Sequence, residues 1–168
     1  RFGALGSDLT TLENDVELDD YAYRVAGSVG EFWTAITLLH ELDGGVTDTE
    51  TFDALGVRFG KALQMTNILR DIPADIALGR CYIPSQRLAE FGMTHEDLRN
   101  PESISAFRPL YNFYLDLACD HYEAAIRYIR MIPRKHHNLR LACILPVAIG
   151  LDTLSLLRTG NVLDAGER

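Results

Sequence analysis

The 168-residue chain predicts an all-α domain, on three observations. Apolar residues recur at helical spacing in every long segment. No stretch alternates in the period-two manner of a strand. Gly, Pro and capping residues fall at helix-length intervals. The length suits one compact unit over 1–168, and 47% hydrophobic residues is a globular composition.

Residues 1–18 read as an irregular lead-in. Asp19 and Asp20 then give an acidic start to a helix over 21–40, whose Val25, Val29, Phe32, Trp33, Ile36 and Leu39 keep the helical period. Gly27 and Gly30 inside it each cost about 1 kcal/mol against Ala, so they imply close approach of another backbone or a ligand. Asp43-Gly44-Gly45 is a turn. Thr47 and Glu50 fit a capping box for a helix over 48–78, which Gly79 ends and Pro73 should distort. Residues 82–84 are extended. Ser85 caps a short helix stopping at Gly92, and Thr94 with Asp97 caps another turn. A long helix fits 104–131, with Pro109 arguing for a start near itself and Pro133 breaking it. A last helix covers about 137–157.

The net charge of −8 excludes general nucleic-acid binding, which needs a basic surface, but not a small anion held through metal ions. Cys81, Cys119 and Cys143 form no C-x-x-C and read as reduced residues of a cytosolic protein. The longest apolar run, 141–151, is too short to cross a bilayer, so a cytoplasmic location is expected, with peripheral membrane contact left open.

The chemistry concentrates on Gln64, Asn67, Asp71 and Asp75. Steps of three, four and four put them on one helical stripe, while Leu63, Met65, Ile68, Leu69, Ile72 and Ile76 make the rest of that helix apolar. Such a helix should be buried, and buried carboxylates one turn apart need a cation. The expectation is a helix lining a cavity. Asp71 and Asp75 would hold Mg²⁺, which accepts one or two carboxylates plus substrate phosphate oxygens, with Asn67 and Gln64 assisting. Arg70 and Arg80 would reach the same phosphates. Asp116 and Asp120 repeat the spacing among polar neighbours and read as a solvated face. His136–His137 read as a solvated basic turn, His40 as serving a helix C-terminus, and Trp33, Phe107, Tyr111, Phe113 and Tyr114 as packing, some of which could also line the cavity.

The segments YAYRVAGSVGEFWT (21–34) and FGKALQMTNILRDIPADIALGRCYIP (59–84) closely resemble the squalene/phytoene synthase family. The resemblance implies the isoprenoid synthase-type helical bundle around a central cavity, and Mg²⁺-dependent head-to-head joining of two prenyl diphosphates. One farnesyl diphosphate ionises, its allylic cation is captured by the double bond of the second, and presqualene diphosphate forms. A second ionisation and rearrangement follow, ended by hydride from NADPH in squalene synthases and by proton loss in phytoene-type enzymes. EFWT, RDIPAD and LRLACILPVAIGLDTLSLLR look most like bacterial squalene synthases. Phytoene, presqualene diphosphate or hydroxysqualene as product, and a non-catalytic helical scaffold, are the alternatives.

By the same resemblance, Tyr21 faces the reacting centre and Asp71 and Asp75 bind Mg²⁺, with Asn67 and Gln64 as upstream amides. Arg70 binds diphosphate or NADPH. Val25, Val29, Gly30 and Leu63 wall the prenyl channel, and Arg80 and Tyr82 close the site. No G-x-G-x-x-G offers a dinucleotide site. The family's first aspartate-rich motif has no counterpart here, and Ala74 stands where many relatives carry Glu. The expectation is therefore the C-terminal part of a synthase, inactive alone. Its N-terminal half would be the missing partner, and apolar surface should be exposed where those helices pack.

Overall fold

In the computed structural model, residues 9–40, 42, 45–164 and 166 are described. The first eight residues of the lead-in and the expected turn at Asp43–Gly44 lie outside them. The architecture is all-α, with the elements β1 (Thr10–Thr11), α1 (Asp15–Ala22), a π-helical turn (Tyr23–Gly27), α2 (Ser28–His40), α3 (Thr49–Arg70), α4 (Ile72–Ala77), β2 (Arg80–Cys81), α5 (Ser85–Glu90), 3₁₀ turns at His95–Arg99 and Pro101–Ser103, α6 (Ile104–Met131) and α7 (His137–Thr159).

The lead-in is more ordered than expected. Asn14 caps α1 by accepting from the Glu17 amide, six residues before the expected helix start. Asp15 accepts a 2.6 Å hydrogen bond from the Tyr114 hydroxyl of α6, so this first turn is tied to the core. Thr10 and Thr11 pair in parallel with Arg80 and Cys81. A two-residue ladder is too short to leave a periodic signal, which is why no strand was expected.

α3 and α6 form the central seam. The buried face of α6 carries Phe107, Tyr111, Tyr114, Ala118, Tyr122, Ala125 and Ile129. Their spacing of three and four is a core stripe. Each tyrosine ring is in the core, and its hydroxyl finds a partner: Tyr111 donates to the Leu69 carbonyl at 3.0 Å, Tyr122 meets the Thr66 hydroxyl at 2.9 Å, and Tyr128 meets Thr34 at 3.2 Å while stacking on Phe52. Pro109 lies inside α6, so its helix begins at Ile104 and not near the proline. Ser85 is the first residue of α5 and Pro84 its cap position, with no side-chain cap bond. The Thr94–Asp97 capping box forms as expected.

α2 crosses α3 at glycines. A Cβ on Gly30 would fall on the Gly56 carbonyl oxygen, and one on Gly60 would fall on the Ala26 carbonyl oxygen. Only hydrogen fits where the backbones meet. α2 is correspondingly poorly covered: only Thr34 and Thr37 are buried in it, and Val29, Phe32, Trp33 and Leu39 are exposed. α7 packs through Cys143, Val147, Gly150 and Leu154, leaving Leu141, Leu145 and Ile149 open. By length and composition α7 could cross a membrane, which is weak evidence on its own.

Candidate active site

The acidic motif forms around a helix break. α3 ends at Arg70, and Asp71 adopts φ −101°, ψ 14°, serving as the cap between α3 and α4. Pro73 falls in the first turn of α4, where that helix itself makes no use of an amide hydrogen. The break thus falls at Asp71, two residues before the proline. The spacing survives, because the Asp75 amide donates to the Asp71 carbonyl at 2.9 Å. Gly79 then takes φ 76°, a left-handed conformation that ends α4 and turns the chain back into β2.

The stripe is not buried as expected. Gln64, Asp71 and Asp75 are half-buried and Asn67 is exposed, while Met65, Thr66, Ile68, Leu69, Ile72 and Ile76 occupy the core. The helix is apolar on its packed side only, and the polar stripe forms its open border. Arg70 grips the Asp71 carboxylate through two hydrogen bonds, at 3.0 and 2.6 Å. The carboxylate holds the Arg70 guanidinium above its ordinary pKa.

Asp75 belongs to a second group. Tyr21 stacks on Tyr82 with ring centroids 4.6 Å apart. Burial, a hydrogen bond with Tyr82 and the negative charge of Asp75 raise the Tyr21 phenol, against the opposing charge of Arg80. So Tyr21 of α1, Asp75 of α4, Arg80 of β2 and Tyr82 just after β2 converge. Burial pushes the neighbouring Cys81 thiol up to about 12, with Asp75 adding to the rise, so it is not a nucleophile.

Two grooves flank the stripe. The first, about 360 Å³, is lined by Val25, Val29, Gly30, Trp33, Leu63 and Cys143, among others. It gathers all four residues expected to wall a prenyl channel. The second, about 390 Å³, holds Arg70 and Asp71 against Thr153, Leu156, Asn161 and Asp164. Along α3 the first groove reaches Leu63 and the second begins at Arg70, with Gln64 and Asn67 between them. Along α7 the first uses Ala142–Pro146 and the second begins at Thr153. The grooves therefore lie along one α3–α7 seam, the first wholly apolar and the second bearing Arg70, Asp71 and Asp164 among Leu156, Leu157 and Val162.

Trp33, read as packing with a place on the cavity wall left open, lines the first groove. Other lining residues escaped the sequence reading. Pro146 and Cys143 lie in an apolar run whose wall-facing side no spacing rule identifies. Asn161 and Asp164 follow the last helix and carried no motif. Asp116 and Asp120 are exposed, as read, with Asp116 paired to Arg158 at 2.6 Å. Phe107, Tyr111 and Tyr114 are fully buried packing residues.

As a donor set, Asp71 and Asp75 are two carboxylates one turn apart. Among the described residues, no three His, Cys, Asp or Glu side chains converge on a metal site. Two carboxylates fit Mg²⁺ when a ligand's phosphate oxygens complete its shell, and do not fit a cation caged by protein alone.

Comparison with known proteins identifies the family. The squalene/phytoene synthase family profile matches residues 4–163. The 15-cis-phytoene synthase of Synechocystis sp. is 37% identical over 126 residues, covering 70% of this chain and 36% of that protein. The presqualene diphosphate synthase of Rhodopseudomonas palustris is 36% identical over 122 residues, covering 73% and 41%. The squalene synthase HpnC of Alicyclobacillus acidocaldarius superposes with a TM-score of 0.75 at 26% identity, covering 90% of this chain and 53% of that one. The chain thus spans about half or less of the length of these proteins. With its fold shared with a squalene synthase and its sequence matched almost from end to end, the chain belongs to the squalene/phytoene synthase family.

Proposed function

We propose that this chain is the C-terminal part of an enzyme that joins two farnesyl diphosphates head to head, through presqualene diphosphate, to squalene. The observation that carries the reading is the α3–α7 seam, where an apolar groove and a carboxylate–arginine groove lie end to end. That is the polarity of a prenyl diphosphate. Asp71, Asp75 and Asn67 would hold Mg²⁺, which when bound neutralises the diphosphate leaving group. Arg70, which pairs with Asp71 in this structure, would bind the diphosphate once that carboxylate held the cation. Gln64 orients the diphosphate and Arg80 adds charge to it. Tyr21, kept neutral by burial and stacked on Tyr82, presents a phenol dipole to the reacting carbons, which suits a cationic reaction better than a phenolate nucleophile. Val25, Val29, Gly30 and Leu63 hold the hydrocarbon and exclude water from the cation. NADPH would supply the final hydride.

A second reading shares the site and differs in product. The names of the two sequence relatives favour presqualene diphosphate or phytoene; hydroxysqualene is a further outcome. Incubating the complete protein with farnesyl diphosphate and Mg²⁺, with and without NADPH, separates them. Squalene only with NADPH supports the first reading. Presqualene diphosphate or hydroxysqualene regardless of NADPH, or phytoene from the longer geranylgeranyl diphosphate, supports the second. A non-catalytic scaffold would show no Mg²⁺-dependent binding of a farnesyl diphosphate analogue.

A further inference from the structure

Arg108 of α6 is half-buried and makes no ion pair among the described residues. Its guanidinium is directed instead at one helix end. It donates to the Leu157 carbonyl at 3.2 Å, the Arg158 carbonyl at 3.4 Å and the Gly160 carbonyl at 2.6 Å. The last carbonyls of an α-helix have no donor within the helix, and together they carry roughly half a negative charge. α7 ends at Thr159, so Arg108 brings both donors and a full positive charge to its C-terminus.

That helix end borders the charged groove. Leu157, Gly160, Asn161, Val162 and Asp164 line it together with Arg70 and Asp71, whereas Arg108 does not line it and stands behind this wall. The chain after α7 is fixed in the same place by other contacts. The Asn161 side-chain amide donates to the Pro101 carbonyl at 3.1 Å, its Oδ1 accepts from the Leu163 amide at 3.1 Å, and Val162 and Leu163 are buried. The charges of the groove have a sign. Arg70 and Asp71 offset each other, and Asp164 is left as an acid. An uncapped helix C-terminus would add to that negative potential and repel an anion entering the groove. Arg108 removes this contribution without occupying the groove.

We propose that Arg108 is a positioning residue for diphosphate binding: from behind the groove it neutralises the C-terminus of α7 and holds the wall that runs on to Asp164. The inference rests on the reading of this groove as the diphosphate end, and adds to it a residue that touches neither diphosphate nor metal. A purely structural arginine would affect every ligand of the seam alike. Arg108 acts through charge, so it affects an anionic ligand and leaves an uncharged one alone.

The experiment is equilibrium dialysis of the complete protein against two labelled probes: inorganic diphosphate with Mg²⁺, and farnesol, which has the hydrocarbon without the charge. Arg108→Gln should weaken diphosphate binding on the order of tenfold and leave farnesol binding unchanged. Arg108→Lys keeps the charge but cannot serve three carbonyls, and should weaken diphosphate binding about threefold. Arg158→Gln removes a charge from the same last turn, where Arg158 is exposed and paired with Asp116, and should change diphosphate binding less than about twofold. Circular dichroism verifies helicity; if Arg108→Gln loses it, the smaller loss in Arg108→Lys, with farnesol unaffected, decides. Wild-type diphosphate affinity in Arg108→Gln, equal losses for both probes, or an equal loss in Arg158→Gln would overturn the proposal and leave the groove reading standing. Failure of the unaltered protein to bind diphosphate would remove the groove reading, and the proposal with it.

Discussion

Pro73 has no amide hydrogen, so the Leu69 carbonyl one turn earlier lacks its helical donor. The Tyr111 hydroxyl of α6 supplies the replacement at 3.0 Å. This bond ties the break at Asp71 to the core, and predicts that Tyr111→Phe leaves a buried carbonyl unsatisfied. The expected loss is about 1–3 kcal/mol of unfolding free energy, read from urea denaturation. Asp71→Asn and Asp75→Asn act differently, since both side chains are half-buried, one at the cap between α3 and α4 and the other in α4. In the complete enzyme each should abolish turnover with helicity unchanged, and normal rates in both would remove the metal assignment. His121 gives a pH prediction. Its Nδ1 accepts from Arg58 Nε at 3.2 Å, and burial, with Arg58 and Lys61 outweighing Asp19 and Asp120, lowers its pKa to about 4. Between pH 6.5 and 4 the unfolded chain therefore binds a proton that the folded chain refuses. Stability is complete above the ordinary histidine range and falls with pH through that window, by at most roughly 3 kcal/mol. His121→Gln, which keeps an acceptor but does not titrate, should flatten the slope of unfolding free energy against pH.

At the scale of elements, what could be read from the sequence depended on whether the signal was local. Helices, the Thr94–Asp97 cap and the Gly79 stop were legible because spacing, capping residues and left-handed glycine are properties of short segments, whereas α3 is capped by Asp48 accepting from the Thr51 amide and not by Thr47 with Glu50. The early start of α1 was not, because its anchor is Tyr114, nearly a hundred residues away. Gly27 and Gly30 announced a close approach without naming the partner. The partner is α3, at Gly56 and Gly60, and this crossing brings Val25, Val29 and Leu63 onto one groove. The glycines are not equivalent. In Gly30→Ala and Gly60→Ala the new methyl meets backbone oxygen, which cannot rotate away, so the helices must separate. The expected cost is about 1–3 kcal/mol in thermal or urea unfolding. At Gly27 the obstructions are the Tyr23 and Val57 side chains, which can move. Gly27→Ala should be close to neutral, because helix propensity returns about 1 kcal/mol.

The whole molecule explains why the stripe reads as buried from the sequence and is found half-open. The apolar pattern of α2, α3 and α7 describes helices covered on more sides than these residues cover. Val29 remains 58% exposed and Trp33 43% exposed, although both line the first groove. An allylic cation formed in such a groove meets water before it meets a second prenyl chain, and capture by water is irreversible. The 168-residue chain alone should therefore release no head-to-head product from farnesyl diphosphate and Mg²⁺, though it retains Asp71, Asp75 and the groove wall. Supplying the upstream half of the synthase domain, covalently or as a separate chain, should restore product and also quench the fluorescence of a hydrophobic dye bound to α2. Product analysis and dye binding test this jointly. Restored product without protection of Phe32 and Trp33 would mean that closure occurs elsewhere. Product from the isolated chain would mean that the seam between α3 and α7 excludes water without help.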